Sequence, residues 1–141
     1  FNAKADRYFD PSVNGLAQEW RGRVWCNPPY GSGIGDWIDH GMAAAACGGA
    51  DVVFLVPARV DTKWFWRLRR ADIFFLPGRL KFVGADGGGE SAPFPSAVVL
   101  ARRGLPWAFA GLSFWDWRAD AAARAAGNVK AANGLRVAVR L

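Results

Sequence analysis

Short apolar runs alternate with amphipathic segments between residues 23 and 76. Each run has the length of one strand, and each segment between two runs carries apolar side chains at helical spacing. The order strand, helix, strand, helix, strand is typical of a parallel α/β sheet with helices packed against it. We therefore predict strands at Arg23–Cys26, Asp51–Val56 and Ile73–Leu76, and helices at Asp36–Cys47 and Thr62–Arg70.

The rest of the chain carries further, less regular signals. Ala97–Ala101 is predicted as a fourth strand, and Asp61 is a candidate N-cap for the second helix. Arg79–Ser91 contains three consecutive glycines at positions 87 to 89, which predict a mobile loop. An Ala-rich segment predicts a helix at residues 118–126, and alternating apolar and basic residues at 135–141 indicate an edge strand.

The sequence Asn27-Pro28-Pro29-Tyr30 directly follows the first predicted strand. Ligands of open α/β sheets bind at the carboxyl ends of the strands, so this position favours a functional site. The segment Pro57 to Arg59 follows the second strand in the same way. As a bare string, Asn-Pro-Pro is equally typical of an ordinary loop with two prolines. Its position at a strand end is what favours the functional interpretation.

The residue types of this motif suit methylation of a planar amino group. The lone pair of such a nitrogen is delocalised, and two acceptors on its hydrogens would help to free it. The Asn27 side-chain oxygen is one such acceptor and the Pro28 carbonyl is a natural second. Prolines fix φ and stiffen the loop, so the acceptors are held in position. The Tyr30 ring can stack on a base, which must first leave its duplex.

Charge and composition narrow the class of partner. The chain of 141 residues has a formal net charge of +6, which suits a nucleic acid and is equally expected in an Arg-rich proteome. Cys26, Cys47 and His40 are too few and too far apart for a structural zinc site, so we expect no metal. We expect two reduced thiols in a cytoplasmic protein. No apolar run reaches the roughly 20 residues that span a bilayer, so we expect no membrane partner.

Four blocks follow one another along the chain: Gly22–Gly31, Val53–Arg59 with Asp61-Thr62 and Trp64-Phe65, Ile73–Phe82, and Ala92–Val99. In this order they resemble the phage-type, Dam-like DNA N6-adenine methyltransferases. The resemblance covers about residues 1–101 and implies a Rossmann-like class I methyltransferase sheet, with S-adenosylmethionine as cofactor and double-stranded DNA as partner. It implies that adenine N6 is methylated on a flipped-out base by Asn27, Pro28, Pro29 and Tyr30.

Further site residues follow from the same resemblance. The family often has an Asp before Gly-Leu near the cofactor's adenine, and here Asn14 precedes Gly15 and Leu16. Together with Asn27, these three residues are the predicted cofactor-binding set. Tyr30, Arg59, Arg79, Lys81 and Phe82 are the predicted substrate-binding set, in which Phe82 matches the aromatic that sandwiches the flipped base. The alternatives are a core aromatic for Phe82 and a solvated loop for Arg79 and Lys81.

The chain begins at Phe1, and its only methionine is Met42. We therefore expect a fragment that lacks the family's N-terminal cofactor-binding strand and helix. We predict a methyltransferase core at residues 1–104 and a C-terminal extension at residues 105–141. Two alternatives stay open: an N-methyltransferase acting on RNA or a protein amide, and a truncated, non-catalytic DNA-binding relative.

Overall fold

A computed structural model describes residues 5–10, 12–83, 87–104 and 111–125. The helices are α1 (Ile34–Ala46), α2 (Lys63–Trp66) and α3 (Trp117–Ala125), with single 3-10 turns at Gly15–Ala17 and Arg67–Arg70. The strands are β1 (Gly22–Cys26), β2 (Ala50–Pro57), β3 (Asp72–Phe75), β4 (Lys81–Val83), β5 (Gly89–Ser91), β6 (Ser96–Ala101) and β7 (Leu112–Phe114).

The main sheet has five strands in the order β1-β2-β6-β3-β7. β1 pairs in parallel with β2, and β3 pairs in parallel with β7, whereas β6 runs antiparallel to both of its neighbours. The prediction of a parallel sheet is therefore wrong for β6, and the fold is mixed α/β. The physical reason is the connection: the described residues 76–83 and 87–95 between β3 and β6 contain no crossover helix, so the chain turns back beside β3.

One face of the sheet packs against α1, α2 and the 3-10 turn at Arg67–Arg70. Phe54 from β2, Val99 from β6, Ile38 from α1 and Leu68 from the 3-10 turn are fully buried in this core. Burial of side chains of this size stabilises the fold by about 1.5–3 kcal/mol each, which makes this face the main source of stability. From the segment Lys63–Arg70, Phe65 and Leu68 are buried in this core, and Trp64 is partly buried against it.

The opposite face carries a second, smaller apolar cluster. Val53 and Leu55 of β2, Val98 of β6 and Leu76 after β3 form it. Trp115 and Trp117 pack against this cluster from the segment that follows β7. The sequence analysis did not predict β7. Its pairing with β3 gives the C-terminal part of the described chain a place in the sheet, while the domain boundary at residue 104 stays a prediction.

The segment between β3 and β6 is not the loop that its glycines predicted. β4 and β5 form an antiparallel hairpin, with Phe82 opposite Glu90 and Val83 opposite Gly89. All six residues of the two strands are exposed. The Ala92 amide donates to the Leu80 carbonyl at 2.7 Å, which closes the base of the hairpin beside the main sheet.

The helices differ from their predicted bounds in ways that local hydrogen bonds explain. α1 begins two residues before Asp36, because the Ile34 amide donates to the Gly31 carbonyl at 3.3 Å. Thr62, not Asp61, caps α2, with its hydroxyl accepting from the Phe65 amide. The predicted helix at residues 118–126 is confirmed over its described part as α3. The predicted edge strand at 135–141 lies outside the described residues.

The segment that precedes β1 runs along α1. Gly15 lies against the Trp37 ring in the first turn of α1, and the Gln18 carbonyl is 2.9 Å from the His40 Nε2 atom farther along the helix. The Trp20 ring contacts His40 edge-on at a centroid distance of 4.8 Å. Because α1 starts just after the carboxyl end of β1, this path places the Asn14-Gly15 turn at the same end of the sheet as Asn27.

Candidate active site

Loops from three strands meet at one edge of the sheet. Asn27-Pro28-Pro29-Tyr30 leaves the carboxyl end of β1, and Ala58 follows the carboxyl end of β2. β6 runs in the opposite direction, so its amino end lies at this edge too. The Ala58 amide donates to the Pro95 carbonyl at 2.8 Å, which ties the loop after β2 to the segment before β6.

The motif holds its two polar side chains together. The Tyr30 hydroxyl donates to the Asn27 Oδ1 atom at 2.7 Å. Asn27 is exposed, and the Tyr30 side chain is 38% exposed, so both can be reached from solvent. Pro28 is buried while Pro29 is exposed. The loop therefore offers an amide oxygen and an aromatic ring side by side on a stiff backbone.

Phe94 is a site residue that the sequence analysis missed. Its ring meets the Tyr30 ring edge-on, with centroids 5.1 Å apart and an interplanar angle of 85°. Phe94 stands between Pro93 and Pro95, just before β6. Two prolines fix the backbone on both sides of the ring, and this rigid Pro-Phe-Pro segment is the sequence signal that could have identified it.

The ionisable groups at the motif are kept protonated. Burial raises the pKa of the Cys26 thiol to about 12. Burial also raises the pKa of the Tyr30 hydroxyl, and the neighbouring Cys26 thiolate would oppose its ionisation further. Both groups are neutral at neutral pH, so neither is suited to act as a general base or as a nucleophile.

The predicted cofactor residues form one compact turn. The Asn14 side-chain oxygen accepts from the Leu16 amide at 3.1 Å. The carbonyl of the buried Gly15 accepts from the Trp20 Nε1–H at 3.0 Å. A Cβ atom at Gly15 would lie 3.1 Å from the Trp37 ring, so a larger residue here would require the ring to shift slightly. The exposed Asn14 amide keeps its NH2 donors, and Phe9 lies beside the turn with an exposed side chain. A polar donor beside an apolar surface fits an adenine ring.

The remaining predicted substrate residues lie on two segments. Arg59 is exposed directly after β2, where its carbonyl accepts from the Thr62 amide and hydroxyl. Arg79, Lys81 and Phe82 are exposed at the start of the hairpin. The Phe82 side chain is 39% exposed, which rules out the alternative of a core aromatic.

Within residues 5–10, 12–83, 87–104 and 111–125, no three His, Cys, Asp or Glu side chains come together as metal ligands. In the same part of the chain, no helix has the length and apolar character needed to cross a membrane.

The mixed sheet and the Asn-Pro-Pro-Tyr loop at its edge define an α/β protein with a candidate site at the carboxyl end of β1. The chain belongs to the DNA N-6-adenine-methyltransferase (Dam) family, whose model matches residues 1–109. This confirms the resemblance and makes the protein a DNA adenine methyltransferase in general terms, which disfavours RNA or a protein amide as substrate. Neither the curated proteins nor the solved structures gave a match.

Proposed function

We propose that this protein transfers a methyl group from S-adenosylmethionine to N6 of an adenine that is flipped out of double-stranded DNA. The observation that carries the proposal is the Asn27–Tyr30 pair, which presents an amide oxygen next to an exposed aromatic ring at the carboxyl end of β1. Family membership supplies the substrate class. A Rossmann-like methyltransferase architecture for the core, residues 1–104, is part of the same proposal.

The chemistry of the loop is one of positioning. The adenine amino group donates one hydrogen to the Asn27 Oδ1 atom and the other to the Pro28 carbonyl. These two bonds draw the nitrogen out of conjugation, so that its lone pair is available to form the bond to the methyl carbon. The methylated nitrogen then gives up one proton to water. The neutral Tyr30 and Cys26 take no part in that proton transfer.

The aromatic groups hold the base. The Tyr30 ring stacks on the flipped adenine, and stacking of this kind is worth about 1–3 kcal/mol per base. Phe94 supports the Tyr30 ring from its edge. Since the two ring centroids are only 5.1 Å apart at an interplanar angle of 85°, no base fits between these rings.

S-adenosylmethionine, when bound, would supply the electrophilic methyl group; its S–C bond would break, and the electron pair would stay on the sulfur of the departing thioether. Asn14, Gly15 and Leu16 are proposed to hold its adenine moiety, because the Asn14 NH2 group and the adjacent apolar surface suit that ring. Asn27 lies at the same end of the sheet and is proposed to face the methyl-bearing part of the cofactor. The buried Gly15 fixes this turn against Trp37 and Trp20.

Cationic side chains at the edge are proposed to contact the DNA backbone. Arg59 follows β2, and Arg79 and Lys81 stand at the base of the hairpin, all exposed. Contacts of this kind to phosphates fix the register of the duplex and make the affinity depend on salt. Phe82, exposed on β4, is proposed to contact the target nucleotide from the hairpin side.

The direct test is chemical analysis of the product. The full chain is incubated with S-adenosylmethionine and unmethylated duplex DNA, and the digested nucleosides are separated by mass. We expect N6-methyladenine from duplex DNA, with little or none from an RNA of the same sequence. Product in RNA but not in DNA would contradict the proposed substrate. DNA binding without any methylated product would instead favour the non-catalytic DNA-binding relative.

A further inference from the structure

The C-terminal part of the described chain lies against the loop that leads into the hairpin. β7 pairs in parallel with β3, and the Trp115 amide then donates to the Phe75 carbonyl at 3.0 Å. Trp115 and Trp117 pack on the apolar cluster that includes Leu76 and Leu80. α3 therefore begins beside the residues that follow β3.

Arg118, in the first turn of α3, forms hydrogen bonds with the loop Pro77–Arg79 that follows β3. Its Nη1 atom donates to the Pro77 carbonyl at 2.7 Å, and its Nη2 atom donates to the Arg79 carbonyl at 3.0 Å. The guanidinium also lies over the Trp117 ring, 4.5 Å from the centroid. A planar fork of donors can span two carbonyls in this way, whereas a lysine ammonium is a single point.

The loop Pro77–Arg79 that Arg118 contacts is a sharp turn. Gly78 lies between the two carbonyls with φ of +71°, a conformation that L side chains rarely adopt. A Cβ atom at Gly78 would lie 3.1 Å from the Arg118 Nη1 atom. The turn and the guanidinium are thus fitted to each other, and the turn sets the direction in which Arg79 and the hairpin leave β3.

We propose that Arg118 is a positioning residue that holds Arg79 and the β4–β5 hairpin in place for DNA. The proposal rests on the proposed function, in which Arg79 and Lys81 contact phosphates. The match to the family model ends at residue 109, so Arg118 lies outside the matched segment. The Leu80 carbonyl accepts from the Ala92 amide. The position of the loop Pro77–Arg79 therefore also sets where β5 leads back toward the main sheet.

The test is a double-mutant cycle on affinity for an unmethylated duplex, measured by fluorescence anisotropy. Arg79→Ala is expected to weaken binding about tenfold, the scale of one lost hydrogen bond to a charged group. Arg118→Ala is expected to weaken binding to a similar extent, and the double variant should lose clearly less than the product of the two single losses, because part of the effect of Arg118 passes through Arg79. Arg118→Lys should recover part of the loss, and Arg124→Ala, exposed on the same helix, should leave the affinity unchanged.

A loss in the double variant equal to the full product of the two single losses would overturn the proposal, because it would mean that Arg118 acts independently of Arg79. Hydrogen exchange without DNA gives a second readout. Arg118→Ala should speed exchange at residues 78–83 and leave β1 and β2 unchanged, and unchanged exchange at residues 78–83 would overturn the proposal too. This readout stands even if the wild-type chain methylates nothing, so failure of the proposal for Arg118 and failure of the proposed function are distinguishable.

Discussion

The Tyr30 hydroxyl donates a hydrogen bond to Asn27 Oδ1 at 2.7 Å. The same oxygen is the proposed acceptor for the amino group of the target adenine. In the free protein, the Asn27 Oδ1 atom already accepts from Tyr30. The target base must therefore share this oxygen with the Tyr30 hydroxyl or displace the hydroxyl from it. An amide oxygen has two lone pairs, so sharing is chemically possible.

This relationship predicts different outcomes for two Tyr30 variants. Tyr30→Phe keeps the stacking ring and removes only the competing donor. Its kcat/KM should therefore stay within about threefold of wild type, a smaller change than the about tenfold loss expected when a hydrogen bond to a charged group is removed. Tyr30→Ala removes the ring and should lower kcat/KM by about tenfold or more, because stacking is lost. Steady-state methylation assays separate the two. If Tyr30→Phe were as impaired as Tyr30→Ala, the hydroxyl and not the ring would be the essential group.

Phe94 should affect methyl transfer only by holding the Tyr30 ring in position. Phe94→Ala removes an edge-on aromatic contact worth about 0.5–1.5 kcal/mol, so kcat/KM should fall by roughly two- to tenfold. Phe94→Tyr keeps the ring edge against Tyr30 and serves as the matched control, with near wild-type kinetics. The assay is repeated in a Tyr30→Ala background, where Phe94→Ala should have no further effect. A full additional loss in that background would show that Phe94 acts independently of Tyr30.

Gly41 allows α1 to lie close to the sheet. A Cβ atom there would overlap the Phe54 ring and lie 2.9 Å from Trp20 Cζ3. Gly41→Ala should therefore lower the free energy of unfolding by about 2 kcal/mol, as overpacked cores do. Gly33→Ala is the control, since Gly33 has φ of −84° and open space around its Cβ position. Urea denaturation of both variants checks this, and equal stability would contradict the packing of α1 described above.

Asp51 on β2 should make stability depend on acid. Its carboxylate accepts from the Arg103 amide at 2.8 Å and from Arg103 Nε at 3.1 Å, and these bonds hold the pKa of Asp51 below its ordinary value of 3.8. A lowered pKa in the folded state stabilises the fold above the unfolded-state pKa, and that stabilisation is lost as pH falls through the folded-state pKa. Asp51→Asn should thus cost about 1 kcal/mol at pH 7.

The difference between wild type and Asp51→Asn should shrink as pH falls below about 4, where the unfolded carboxyl becomes protonated. Urea midpoints at pH 7 and at lower pH measure it. The Arg21–Glu19 ion pair is mostly exposed on both sides, and Glu19→Gln is the control that should change little at either pH. A pH-independent difference for Asp51→Asn would mean that its ionisation is not what stabilises the fold.

The elements that sequence alone predicted are those set by local pattern. β1, α1 and β2 have the spacing or the continuous apolar run that defines them, and the Asn27 motif stands at a strand end. The placement of β6 between β2 and β3 has no local signal, because it depends on which strand neighbours which. β7 could not be predicted because three residues are too few for an alternating pattern to stand out, and β4 and β5 could not because each is equally short and fully exposed.

The site divides in the same way. Asn27 and Tyr30 lie only three positions apart in sequence and could be proposed together from the motif. Phe94 and Arg118 reach their partners only through the sheet, across about half of the chain in the first case and from beyond the family match in the second. Phe94 at least has prolines on both sides as a signal, while nothing in the sequence around Arg118 points to the loop at Pro77.

The central claim is that the Asn27 side-chain oxygen activates the adenine amino group. Single-turnover methyl transfer to unmethylated duplex DNA from radiolabelled S-adenosylmethionine tests it most directly, with wild type, Asn27→Ala and Asn27→Asp compared at saturating DNA. We expect label in N6-methyladenine with wild type and measurable transfer with Asn27→Asp, which keeps an acceptor oxygen. Asn27→Ala should be slower by about 100-fold or more, the scale of losing one preorganised polar contact in a transition state. Transfer by Asn27→Ala at the wild-type rate would contradict the account.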